Sequence, residues 1–114
     1  MAEFIVVTWA VVQGCVEQHE KSIKRLMDYW RKNAKRFRLE SLRYYSQAIG
    51  GDPFTLGRVM VYEYDSLADW DYFEKQMEKD KKAMALKDQL FVNIDLKTRR
   101  VVEWQDKQRD SWLE

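Results

Sequence analysis

The chain has 114 residues, 46% of them apolar and 34% charged, with 20 basic side chains against 19 acidic ones. That length suits one domain, expected here over residues 1–114, and the apolar share excludes a disordered chain. The balanced charge speaks against a dedicated nucleic-acid binder; one cysteine and one histidine exclude an internal disulfide, a cysteine metal cluster and a histidine-rich metal centre.

The first expected element is a strand over Phe4–Val12, rich in β-branched and aromatic residues. Both of its alternating faces are apolar, as for a strand buried on two sides. It is also the longest apolar run and falls short of the roughly 20 residues that cross a bilayer. No basic leader is read before it, and the lone thiol suits a reducing compartment, so the expected location is cytoplasmic, with no membrane partner. Gln13-Gly14 breaks the strand.

From Cys15 to Phe37 the apolar period becomes helical. Val16, His19, Ile23, Leu26, Trp30, Ala34 and Phe37 recur at spacings of three and four, one stripe of a long amphipathic helix. Its other face is charged, with acidic residues interleaved among the lysines and arginines, which reads as a solvated surface and not a nucleic-acid site.

Leu39–Ile49 and Leu56–Tyr64 read as two strands of a hairpin around the turn Gly50-Gly51-Asp52-Pro53. In the second of them Val59 and Val61 point one way, and Met60, Tyr62 and Tyr64 the other. Ser66-Leu67-Ala68-Asp69 is a helix start of capping-box type. The stripe Leu67, Trp70, Phe73, Met77 and Met84 continues it, with its regularity fading across Lys79–Lys82. Leu86–Ile94 reads equally as a short helix or a loop, and Leu96–Gln105 as a fourth strand. In the polar tail after it, Trp112 and Leu113 are the apolar residues.

The order βαββαβ is the split-βαβ arrangement, so the fold class is α+β, ferredoxin-like: a four-stranded antiparallel sheet with two helices on one face. Right-handed crossovers place the first and third strands centrally and the second and fourth at the edges. The two central strands are the ones apolar on both faces. The sheet face away from the helices therefore needs a cover that the chain does not contain, and the expected cover is a second copy, in a homodimer with sheets face to face.

The apolar first strand ending at Gly14, the long helix with His19 and Trp30, the tyrosine-bearing hairpin and the segment Ser66–Phe73 (SLADWDYF) together resemble the dimeric α/β-barrel superfamily over nearly the whole chain. The last segment is similar to the opening of the second helix in antibiotic-biosynthesis-type monooxygenases and in the NIPSNAP and EthD-like groups. The resemblance implies a barrel-forming homodimer. It spans cofactor-free oxygenases, haem-degrading oxygenases, lactone isomerases and effector domains, so it selects no single function. Where the polyketide oxygenases carry an asparagine one turn before the tryptophan, this chain has Ser66, which suits an N-cap. Where the haem-degrading members carry an iron-binding histidine, it has Asp80 among lysines.

The residues point to a pocket between sheet and helices for a small aromatic or otherwise apolar ligand. Its expected site residues are His19 as base or polar anchor, Trp70 as wall and Tyr62 as hydrogen-bond donor. Further tyrosines and tryptophans line it, and Arg43 and Arg58 are candidate charges for an acidic ligand. No cofactor-binding or metal-binding residue is read. Any chemistry would be cofactor-independent oxygenation or isomerisation. The alternative is a non-enzymatic binding or assembly module with a filled aromatic core.

Overall fold

The computed structural model describes residues 2–46 and 57–106. Strand β1 (Glu3–Val11) leads into helix α1 (Val16–Lys32), strands β2 (Ser41–Ser46) and β3 (Gly57–Tyr64), helices α2 (Leu67–Lys79) and α3 (Lys81–Phe91), and strand β4 (Ile94–Gln105). The sheet order is β2-β3-β1-β4 with every neighbour antiparallel. The two strands apolar on both faces are central, as expected. The fold is the ferredoxin-like α+β arrangement, with a third helix added.

Several boundaries differ from the sequence reading. Helix α1 stops at Lys32 rather than running to Phe37; residues 33–38 form turns, closed by the Leu39 N–H on the Ala34 carbonyl (2.9 Å), with Arg38 at φ 57°. Phe37 still reaches the core, carried there by the turn. Residues 86–91 are helical, and β4 begins at Ile94, two residues before the expected start. Val16 and Leu67, placed on the apolar stripes, lie exposed at the first turns of their helices. The Gly50–Pro53 turn, the end of the second expected strand and Trp112 fall outside the described residues. Gly14 sits at φ +84°, the left-handed region that glycine enters without strain.

The alternation of each strand decides what is buried. Ile5, Val7, Trp9 and Val11 of β1 and Met60, Tyr62 and Tyr64 of β3 face the helices and are buried under α1 and α2. Phe73 and Met77 of α2 and Ile23, Leu26 and Trp30 of α1 close over them. Among the described residues no layer covers the opposite sheet face. There Val61, Val6 and Val102 stand side by side across three strands, with Phe4 opposite Trp104 in the next row. Val102 is 46% exposed and Trp104 57%.

Two caps fix the helix starts on the long arm of the chain. The Ser66 hydroxyl accepts from the Asp69 N–H (3.3 Å), the expected N-cap. The Asp80 carboxylate accepts from the Ala83 N–H (3.0 Å) and starts α3. The same carboxylate accepts from Tyr29 Oη and Arg36 Nη2, both at 2.6 Å. These bonds and the guanidinium hold its pKa down at about 2 against the opposing effect of burial.

Candidate functional site

Between the sheet and the helices lies a cavity of about 340 Å³. Trp9 of β1, Trp30 of α1 and Trp70 of α2 form its walls, with Met60, Met77 and Met84 between them. The rings interlock edge to face: Trp30 meets Tyr62 at 5.4 Å and 67°, and Tyr62 meets Trp70 at 5.9 Å and 61°. The Trp30 indole N–H is engaged by Met77 Sδ at 3.1 Å and is not offered to the cavity.

Tyr62 is the polar group inside. The residue is 8% exposed and lines the cavity, and its hydroxyl has no hydrogen-bond partner among the described residues. Burial pushes its pKa well above the ordinary tyrosine value; the Arg99 charge draws it down, and Glu74 pushes it up by less than Arg99 lowers it. Four charged side chains edge the cavity. Glu74 and Glu78 come from α2, Lys87 from α3 and Arg99 from β4. Lys87 Nζ and Arg99 Cζ stand 5.4 and 5.6 Å from the centroid of the same ring, Phe91.

His19 lies elsewhere. It is fully buried and does not line the cavity. Its Nε2 accepts from the indole N–H of Trp9 at 3.0 Å, and its Nδ1 donates to Glu20 Oε1 at 3.2 Å. The accepting Nε2 assigns the neutral ring with its proton on Nδ1. Burial lowers its pKa, with a smaller push from Arg58, against the Glu20 hydrogen bond and charge. Glu20 Oε1 is shared: Tyr44 Oη donates to it at 2.9 Å and Arg58 Nε at 3.1 Å. The result is a chain Trp9–His19–Glu20–Tyr44–Arg58 in which every named donor or acceptor has a partner.

The structure thus brings Trp70 and Tyr62 together and sets His19 behind the Trp9 wall, one side chain away from the cavity. Arg43 and Arg58, expected near a ligand, are displaced. Arg58 is consumed by Glu20 and Tyr44, and Arg43 lies on the open sheet face opposite Val61. Tyr45 and Trp104 also lie on or beside that face, and Tyr64 is buried outside the cavity with its hydroxyl unpartnered. The rim residues Glu74, Glu78 and Lys87 were not legible as site residues. The one available signal was the apolar spacing Met84, Leu90, Phe91, which turns Lys87 toward the cavity edge. Among the described residues no three His, Cys, Asp or Glu side chains converge on a metal-sized point, and no helix is long and apolar enough to cross a membrane.

No protein-family model matches the sequence, and no curated protein matches it. Solved structures do. A NIPSNAP family protein of unknown function from Agrobacterium tumefaciens superposes with a TM-score of 0.73 at 15% identity, over 92% of this chain and 87% of its own. An antibiotic-biosynthesis-monooxygenase-like protein from Nitrosomonas europaea does so with 0.69 at 11%, over 92% and 89%. A dimeric protein of unknown function and ferredoxin-like fold from Bacteroides fragilis gives 0.64 at 15%, over 92% and 96%. What the chain shares with these proteins is the ferredoxin-like fold, over almost its entire length.

Proposed function

We propose that the protein is a homodimeric small-molecule-binding protein whose ligand is flat and apolar and lies between the sheet and its helices. The observation that carries this is the cavity of about 340 Å³ walled by three tryptophans and lined by Tyr62, whose hydroxyl has no hydrogen-bond partner among the described residues. A hydroxyl free of protein partners at a cavity wall can donate to a ligand oxygen and fix its orientation. The volume falls at the lower end of ligand-binding cavities, roughly 300–1,000 Å³. It also favours an open cavity over the filled core of an assembly module. Dimerisation rests on the apolar row Val61–Val6–Val102 and on the dimeric Bacteroides neighbour. The second reading is catalysis, which the Nitrosomonas neighbour favours. In it Tyr62 is the proton donor to a substrate oxygen, Trp70 the wall, and His19 a polar anchor that fixes Trp9.

Titrating the protein with 2-naphthol while following tryptophan emission tests the binding reading. Three tryptophans wall the cavity, so occupancy should quench them in a saturable way. Emission that changes only linearly with added naphthol overturns it. A native mass spectrum of the same sample should show a mass twice 13.8 kDa.

A further inference from the structure

The cavity's rim carries charge of both signs, and the two signs are not equivalent. Several basic side chains around the fold are paired with acids, among them Arg36 with Asp80, Arg38 with Asp69, Arg58 with Glu20 and Lys75 with Asp71. Lys87 and Arg99 are not. Neither makes an ion pair among the described residues, and both rest over the Phe91 ring at the cavity edge. Glu74 and Glu78 are also unpaired and, like Arg99, lie exposed, but neither rests over a ring as the two cations do. Lys87 is half-buried. A cation held over an aromatic ring beside an apolar cavity has given up part of its hydration and gains from a counter-ion.

The second observation is the unpartnered Tyr62 hydroxyl, on a residue more than nine-tenths buried and within the field of Arg99 more than of Glu74. A phenol donor with a guanidinium nearby is a pairing that an acid group satisfies and an amine does not. Resting on the binding reading above, we infer that the ligand is an aromatic carboxylate. Its ring lies between Trp9, Trp30 and Trp70, and its acid group accepts from Tyr62 Oη and faces Arg99, with Lys87 adding charge. Glu74 and Glu78 then work as a filter that disfavours ligands with a second acid group on the α2 side.

Three naphthalenes of one shape test this in the full chain: 2-naphthoate, its neutral amide and 2-naphthylmethylamine, each followed by tryptophan quenching at pH 7.5. The acid is expected to bind about tenfold more tightly than the amide, the value of one charge-assisted hydrogen bond, and the amine more weakly than either. Arg99→Gln, at an exposed strand position that the core does not use, should bring acid and amide within about twofold. Tyr62→Phe keeps the ring packing and should weaken both. Equal affinity for acid and amide overturns the carboxylate inference and leaves the cavity reading intact. Preference for the amine overturns it in favour of the glutamates. An acid preference that survives Arg99→Gln also overturns it. If none of the three saturates, the cavity reading itself fails.

Discussion

His19→Leu isolates the hydrogen bond on which the wall of the cavity depends. Leucine has a similar volume and no acceptor, so the buried Trp9 N–H, now bound to Nε2 at 3.0 Å, is left without a partner. An orphaned buried donor costs about 1–3 kcal/mol. Losing the Nδ1 bond to Glu20 adds roughly 0.5–1 kcal/mol and no more, because Glu20 keeps Tyr44 and Arg58. At about 4 °C per kcal/mol for a domain of this size, the melting temperature should fall by roughly 6–16 °C. His19→Gln places an amide oxygen near the Nε2 position and should recover more than half of that. Far-UV circular dichroism melts at pH 7.5 read the difference, with protein concentration held fixed because a dimer's melting temperature depends on it. A leucine variant that melts within a degree or two of the parent refutes the reasoning. The same glutamine variant separates anchor from base: since His19 does not line the cavity, naphthoate affinity should stay within about twofold of the parent.

The buried His19 also sets a pH dependence. Its pKa is held below the ordinary 6.5, first by burial. The unfolded chain therefore binds a proton that the folded one does not, and stability is full above pH 6.5 and lost as pH falls below it. Chemical denaturation midpoints should decline between pH 7.5 and pH 5 in the parent and stay flatter in His19→Gln; parallel profiles would show that the histidine is not the titrating group. Tyr64→Phe removes a buried hydroxyl with no partner, so it should raise stability by about 1 kcal/mol, and a fall measured by denaturant midpoint would mean that the hydroxyl is bonded in solution. Val102→Lys puts a charge in the middle of the open sheet face. It should convert dimer to monomer by light scattering while leaving the monomer's circular dichroism unchanged, and a dimer that persists would place the interface elsewhere.

What the sequence made legible was what local pattern encodes. The two-sided apolar strands are the central ones because a period of two, apolar at every position, has no solvated solution. Ser66 was legible as a cap because the bond it makes is three residues long. His19 was legible as inward-facing, since the helical stripe fixes its side of α1. Its role was not. That is decided by Trp9, ten residues away on another element, whose indole takes up the one nitrogen a base would need. The displacement of Arg58 has the same origin, because its partner Glu20 lies on the charged side of α1 and reads in sequence as solvated surface. The rim cations come from α3 and β4, which meet only after the chain has closed its sheet.

The cavity itself traces to the break at Asp80. Sequence shows this as a lapse of apolar spacing across Lys79–Lys82, and the structure shows one extended residue, φ −95° and ψ 102°, between two helices. A straight helix advances 1.5 Å per residue, so without the break Phe91 would lie about 18 Å beyond Lys79 along the α2 axis. The turn instead lets Met84, Lys87 and Leu90 line the cavity together with Trp70. The corner is held by charge: Asp80 caps α3 with one oxygen and takes Tyr29 and Arg36 from the α1 side with the other. With its pKa held down at about 2, that carboxylate stays ionised across the range in which His19 takes up its proton, so the corner does not share the pH sensitivity of His19. Acid should therefore loosen the Trp9 wall before it loosens the Asp80 corner, and the cavity should lose its ligand from the His19 side first.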